Sequence, residues 1–179
     1  MIQVGRLMLE RKRSEYLCLR RQYEPESIKL IIIAESPPAS GRYFYDPKGV
    51  LTEPLFAALM EHLRLSPDNK ENGLREFQRR GWVLADATYK PVNTLNDSDR
   101  NKVIARDYPL LRGDLESLTP DHLTPLVLIK ANVCRTLEPK LVDDGFNVIN
   151  HGRVIYFPST GQQGEFRRQF GAVLKSAKI

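Results

Sequence analysis

At 179 residues, with 41% hydrophobic and 27% charged residues, the chain has the composition of one globular domain long enough to bury a core. No apolar run approaches the roughly 18 to 20 residues of a membrane helix, and two distant cysteines, Cys18 and Cys134, cannot by themselves make a four-thiolate metal or iron–sulfur site. A net charge of +5 and a pI near 9.3 admit an anionic partner such as nucleic acid without requiring one.

The first residues lack a continuous apolar core and a small-residue cleavage site, so no secretory signal and a reducing, cytoplasmic location are expected. Residues 6–22 predict an amphipathic helix, with Leu7, Leu9, Tyr16, Leu17 and Leu19 set among basic residues. Glu24, Pro25 and Glu26 close it ahead of a strand at 30–34, LIIIA, whose β-branched run suits a pleated surface covered on both faces. Pro54 opens a helix carrying Leu55, Phe56, Leu59, Met60 and Leu63, and a short helix at 72–80 stops at Gly81. A second strand at 81–87, GWVLADA, leads into a polar loop at 88–101 and a helix at 108–118. A third strand at 125–130, PLVLIK, precedes a helix at 132–144; a fourth strand at 153–157, RVIYF, precedes a last helix at 165–176. This alternation predicts one α/β domain over 1–179, a three-layer α/β/α sandwich around a central, mainly parallel four-stranded sheet.

Ligands of such sheets bind beyond the carboxyl ends of the strands. Glu35 and Ser36 follow the first strand directly, with Tyr43, Phe44 and Tyr45 close behind. A carboxylate, a hydroxyl and three rings suit a flat, polar ligand. Asp86 ends the second strand, with Lys90 just after it; Phe157 ends the fourth, before Pro158, Ser159, Thr160, Gly161 and Gln162. Lys90, Arg100 and Arg106 are candidate phosphate contacts, and the glycine-containing loop after Ser159 is able to approach a phosphate backbone closely. The histidines, His62, His122 and His151, are scattered without ligand spacing, so no metal and no cofactor are expected. Each residue also has a plain structural reading. Glu35 and Asp86 would satisfy turn amides, Ser36 would cap a helix, and the rings would fill the core. The cluster Arg11, Lys12, Arg13, Arg20 and Arg21 would be a nucleic-acid footprint on the functional reading and a solvated helix face on the plain one, which is preferred.

Taken in order, AESPP at 34–38, DATYKP at 86–91 and FPSTG at 157–161 resemble the layout of the uracil-DNA glycosylase superfamily. Members carry a first-strand motif G-(E/Q/M/I)-x-P-G, a second strand ending near an Asn, and a late H-P-S type motif before the final helix. The resemblance spans residues 28–170. It implies that Glu35 is the polar, catalytic residue of the first motif. One of Tyr43, Phe44 and Tyr45 would stack on the base, and Asp86 would read its edge. Pro158 and Ser159 would introduce a loop that enters the DNA minor groove. The chain departs from the pattern at Ala34 and Pro38, which replace glycines, at Asp86, which replaces Asn, and at Phe157, which replaces His.

Hydrolysis of an N-glycosidic bond builds positive charge on the sugar and negative charge on the departing base. Glu35, Phe44 or Tyr45, and the loop at 159–163 would supply a carboxylate, a stacking face and a wedge for a base flipped out of the duplex. The donor for the leaving base would be Ser36, Lys90 or backbone N–H groups. The expected function is therefore a DNA-repair hydrolase that binds DNA and excises a damaged or deaminated base. Phe157 favours the alternative, a non-catalytic nucleobase, nucleotide or DNA binding module of the same fold. A small-molecule enzyme using the 161–164 loop as a phosphate cradle ranks last, because neither GxxxxGK[ST] nor GxGxxG is present.

Overall fold

The structure, a computed structural model, describes residues 11–179; the first part of the predicted N-terminal helix, with Leu7 and Leu9, lies outside the described residues. The isoleucine run forms β1 (Leu30–Ala34), and every residue of it is buried. It pairs in parallel with β2 (Trp82–Asp86) on one side and β3 (Leu126–Leu128) on the other, giving the order β2-β1-β3. Ala34 stands opposite Asp86 at the carboxyl ends, and Ile32 opposite Val127.

Side chains alternate across a strand, so β1 feeds two cores. Ile31 and Ile33 pack with Ala85, Leu126 and Leu128 against Leu111 and Leu115 of α4 (Asp97–Leu118) and Leu137 and Leu141 of α5 (Ala131–Asp143). Leu30, Ile32 and Ala34 belong to the opposite core. There they join Tyr16 of α1 (Arg13–Arg21), Phe56 of α2 (Pro54–His62), Phe77 of α3 (Lys70–Arg79) and Phe170 of α6 (Gln163–Ser176). Helices cover both faces of a small parallel sheet, and the chain is of the α/β class.

The sheet has three strands among the described residues, and the predicted fourth strand at 153–157 is not one of them. The reason lies at Asn150, which is fully buried. Beside β3 the chain begins a parallel pairing, with Leu126 N–H donating to Asn147 O at 2.8 Å and Ile149 N–H donating to Leu126 O at 2.9 Å. At the next rung the Asn150 carboxamide replaces the backbone: it accepts from Leu128 N–H at 2.9 Å and donates to Leu128 O at 3.0 Å. The chain turns away at His151 and Gly152 and returns for one bond, Lys130 N–H to Ile155 O at 2.8 Å. A side chain thus closes the β3 edge where a strand was expected.

The polar loop expected at 88–101 is shorter than that. Its last part is helical, because α4 starts at Asp97, capped by Asn96, whose side chain accepts from Asp99 N–H at 3.0 Å. Asp97 and Asp99 in the first turn favour the positive end of the helix dipole. Gly81, at φ +76°, makes the tight turn into β2, and a Cβ there would stand 2.8 Å from Ser27 O. Arg20 is not part of a solvated face. It is 2% exposed and forks onto Asp114 of α4 at 2.5 and 2.6 Å, with Glu24 at 2.8 Å.

Candidate functional site

Beyond β1 and β2 the two loops are stitched together. Thr88 N–H donates to Glu35 O at 3.1 Å, Val92 N–H to Ser36 Oγ at 3.3 Å, and Ala39 N–H to Asn93 Oδ1 at 2.8 Å. Ser36 therefore caps no helix; its hydroxyl holds the loop after β2. These bonds frame a cleft of about 350 Å³ at the carboxyl end of the sheet. Glu35, Ser36, Tyr43, Phe44, Asp86 and Phe157 all line it, so the ends of β1 and β2 and the segment beyond residue 155 meet at one rim. Tyr45 lies outside it. It is fully buried in the core, and its hydroxyl accepts from Leu84 N–H at 2.7 Å, so it presents no face to a ligand.

Two carboxyl groups at adjacent strand ends have opposite surroundings. Glu35 is buried but compensated: Lys130 Nζ donates to Oε2, Asn132 Nδ2 to Oε1 at 2.7 Å, and Arg100 stands 3.8 Å from Oε1. Asp86 is 4% exposed and its Oδ2 meets no hydrogen-bond partner among the described residues. Burial raises its pKa from the ordinary carboxylate value to about 7; Arg20 pulls it down, while Asp114 and Glu35 push it up. The Tyr43 hydroxyl, also buried and unpartnered, has its pKa driven well up by burial first and by the nearby Tyr89 and Asp86 next.

The rings are held from behind. Phe44 packs edge-on against Tyr45 and Phe77, with centroids 5.0 and 5.2 Å apart. Tyr43 meets Tyr16 edge-on at 4.8 Å, and its carbonyl accepts from Lys70 Nζ at 2.7 Å. Lys70 in turn pairs with Glu53 in the interior at 2.5 Å. Gly49 leaves room for that pair: a Cβ there would stand 2.6 Å from Lys70 Nζ.

Other predicted residues lie apart from the cleft. Lys90 lines a separate hollow with Arg13, Arg106 and Asp107, which Asp86 also borders. Arg106 pairs with Asp107 at 2.8 Å. Arg100 is bound to loop carbonyls of Leu95 and Asn93 at 2.9 and 2.8 Å as well as facing Glu35, so it stabilises the site from inside. Ser159 and Gln162 line a groove of about 400 Å³ with Lys130, Asn132 and Arg135. Phe157 and Lys130 border both groove and cleft. Pro158 is buried, while Thr160 and Gly161 are exposed at the turn before α6 and line neither space.

Sequence reasoning missed Arg42 and Asn93 on the cleft wall and, at Glu35 itself, Lys130 and Asn132. Lys130 and Asn132 follow β3, and the strand-end rule that selects Glu35 and Asp86 applies there equally. Lys130 adopts φ +86° and ψ 134°, a conformation that costs a non-glycine residue about 1–3 kcal/mol and persists only where surrounding contacts enforce it. Its N–H bond to Ile155 O and its ion pair with Glu35 supply that enforcement. No protein-family model matches this chain, and comparison with curated proteins gives no match.

Proposed function

We propose that the protein binds DNA and accepts an extruded base in the strand-end cleft, where water hydrolyses the N-glycosidic bond. One observation carries the reading: segments far apart in sequence bring an ion-paired carboxylate, two unpartnered polar groups and aromatic rings to a single cleft. In this reading Glu35 orients the water. Its oxygens retain lone pairs beyond those engaged by Lys130 and Asn132. The water oxygen bonds to the sugar carbon as the bond to the base breaks, and the base leaves with the proton. Lys130, beside Glu35 and open to the groove, offsets negative charge developing on the base. The groove, with Lys130 and Arg135, would take the flanking phosphates.

Duplexes carrying uracil, hypoxanthine, xanthine or an alkylated base test this directly. Excision of one of them is expected, with DNA affinity falling as salt rises. Glu35→Gln should lower turnover about 100-fold with little loss of DNA binding. No excision together with no salt-dependent binding rejects the proposal, and equal loss of turnover and binding rejects the role of Glu35.

A second reading is favoured by Phe157, an apolar ring lining the cleft where the resembling family has a histidine. Here the same cleft holds a nucleobase or DNA without cleaving it. Tight binding with no product at enzyme excess would select it.

A further inference from the structure

We infer that the cleft selects a heterocycle that presents two adjacent N–H donors, the amidine-like edge of guanine or isocytosine, to the Asp86 carboxylate. This rests on the cleft being a nucleobase site, as proposed above, and adds which edge it reads.

Along the cleft wall, Glu35 is engaged by Lys130 and Asn132, Glu53 by Lys70, the Ser36 oxygen by Val92 N–H, and Asn93 Oδ1 by Ala39 N–H. Two groups remain. Asp86 Oδ2 and Tyr43 Oη have no partner among the described residues, on residues only 4% and 1% exposed. Buried polar atoms in folded proteins are almost always paired, and a carboxylate oxygen left alone is costly. Asp86 also borders the Lys90 hollow, but the cleft is the space that both residues line, so a ligand placed there can partner the two together.

The missing partners must be of a particular kind. An ionised carboxylate only accepts, and its two oxygens suit two parallel N–H groups. Uracil presents its N3–H flanked by two carbonyls, which would set oxygen against oxygen, and the N1–H of the free base has a carbonyl on one side and a C–H on the other, so no two donors stand side by side. Isocytosine has the same ring with an amino group in place of one carbonyl, so N–H and NH2 stand side by side. Its remaining carbonyl is available to the Tyr43 hydroxyl. Burial keeps the Asp86 carboxyl protonated up to about pH 7, with Asp114 and Glu35 acting the same way and Arg20 against them, so the ionised, purely accepting form is reached above that value.

Isothermal titration of the full chain with isocytosine and with uracil, at about pH 8 where Asp86 is ionised, decides the matter. Isocytosine should bind about 10-fold tighter or more, and Asp86→Asn should erase that preference. Uracil binding as tightly as isocytosine to the parent chain overturns the edge assignment and leaves the nucleobase cleft standing. Binding of neither base removes the nucleobase reading and this inference with it. A preference that survives in Asp86→Asn shows that another group reads the edge. Should that variant fail to fold, the comparison on the parent chain still decides.

Discussion

With its Oδ2 unpartnered and 4% of its surface exposed, Asp86 makes the folded chain less stable whenever it carries charge. Its pKa is about 7 when folded and near the ordinary 3.8 when unfolded. Between those values the folded state keeps a proton that the unfolded chain has lost, so stability falls as pH rises through this window. Above it the full penalty is present; below the lower value it vanishes. Asp86→Asn removes this titration. We expect the variant to be more stable than the parent by roughly 1–3 kcal/mol at about pH 8, the gain shrinking toward about pH 4. Urea denaturation across that range measures it, and a gain that does not change with pH would contradict the account.

At the level of elements, Asn150 does the work of a missing strand. Truncation to Ala leaves the buried Leu128 N–H without its partner and the Leu128 C=O with only the Cys134 thiol at 3.5 Å. A loss of about 2–4 kcal/mol is expected in chemical denaturation. Asn150→Asp keeps the acceptor but not the donor and should also destabilise; a neutral effect in both variants would show that the edge is closed by other groups. This substitution of side chain for backbone explains why RVIYF at 153–157 misleads: it has strand composition, but its pairing partners are already taken. β1 was plain in the sequence because three isoleucines in a row admit little else. The first half of α4 was hidden by its polarity, since Ile104 alone among residues 97–106 is buried, and Pro109 interrupts the pattern. Asn96 with Asp99 three residues on was the signal that would have found its start. In the site, Glu35 and Asp86 follow from strand ends, whereas Lys130 reads as the tail of PLVLIK, and only its backbone conformation sets it apart.

Across the whole molecule, Arg20 ties the two helical layers together beside β2, with a longer bond from Arg13 Nη2 to Leu110 O at 3.4 Å alongside it. Arg20 belongs to α1 on one face and Asp114 to α4 on the other, with the Tyr89 hydroxyl accepting from Arg20 at 3.2 Å. Asp114 is itself nearly buried, with 8% of its side chain exposed. Removing the arginine strands that carboxylate, so Arg20→Met should cost about 3–5 kcal/mol, whereas Arg20→Met with Asp114→Leu should recover much of the loss. Denaturation of both variants and the parent measures the difference. A double variant no more stable than Arg20→Met alone would show that the attraction itself, and not the uncompensated charge, holds the layers together.

Lys130 sets conformational ease against compensation of charge. Glycine visits positive φ without penalty, so the main chain at this point would relax around a residue with no side chain at all. Such a replacement would leave Glu35 facing only Asn132 and a more distant Arg100. The backbone thus favours the very substitution that the neighbouring carboxylate can least tolerate.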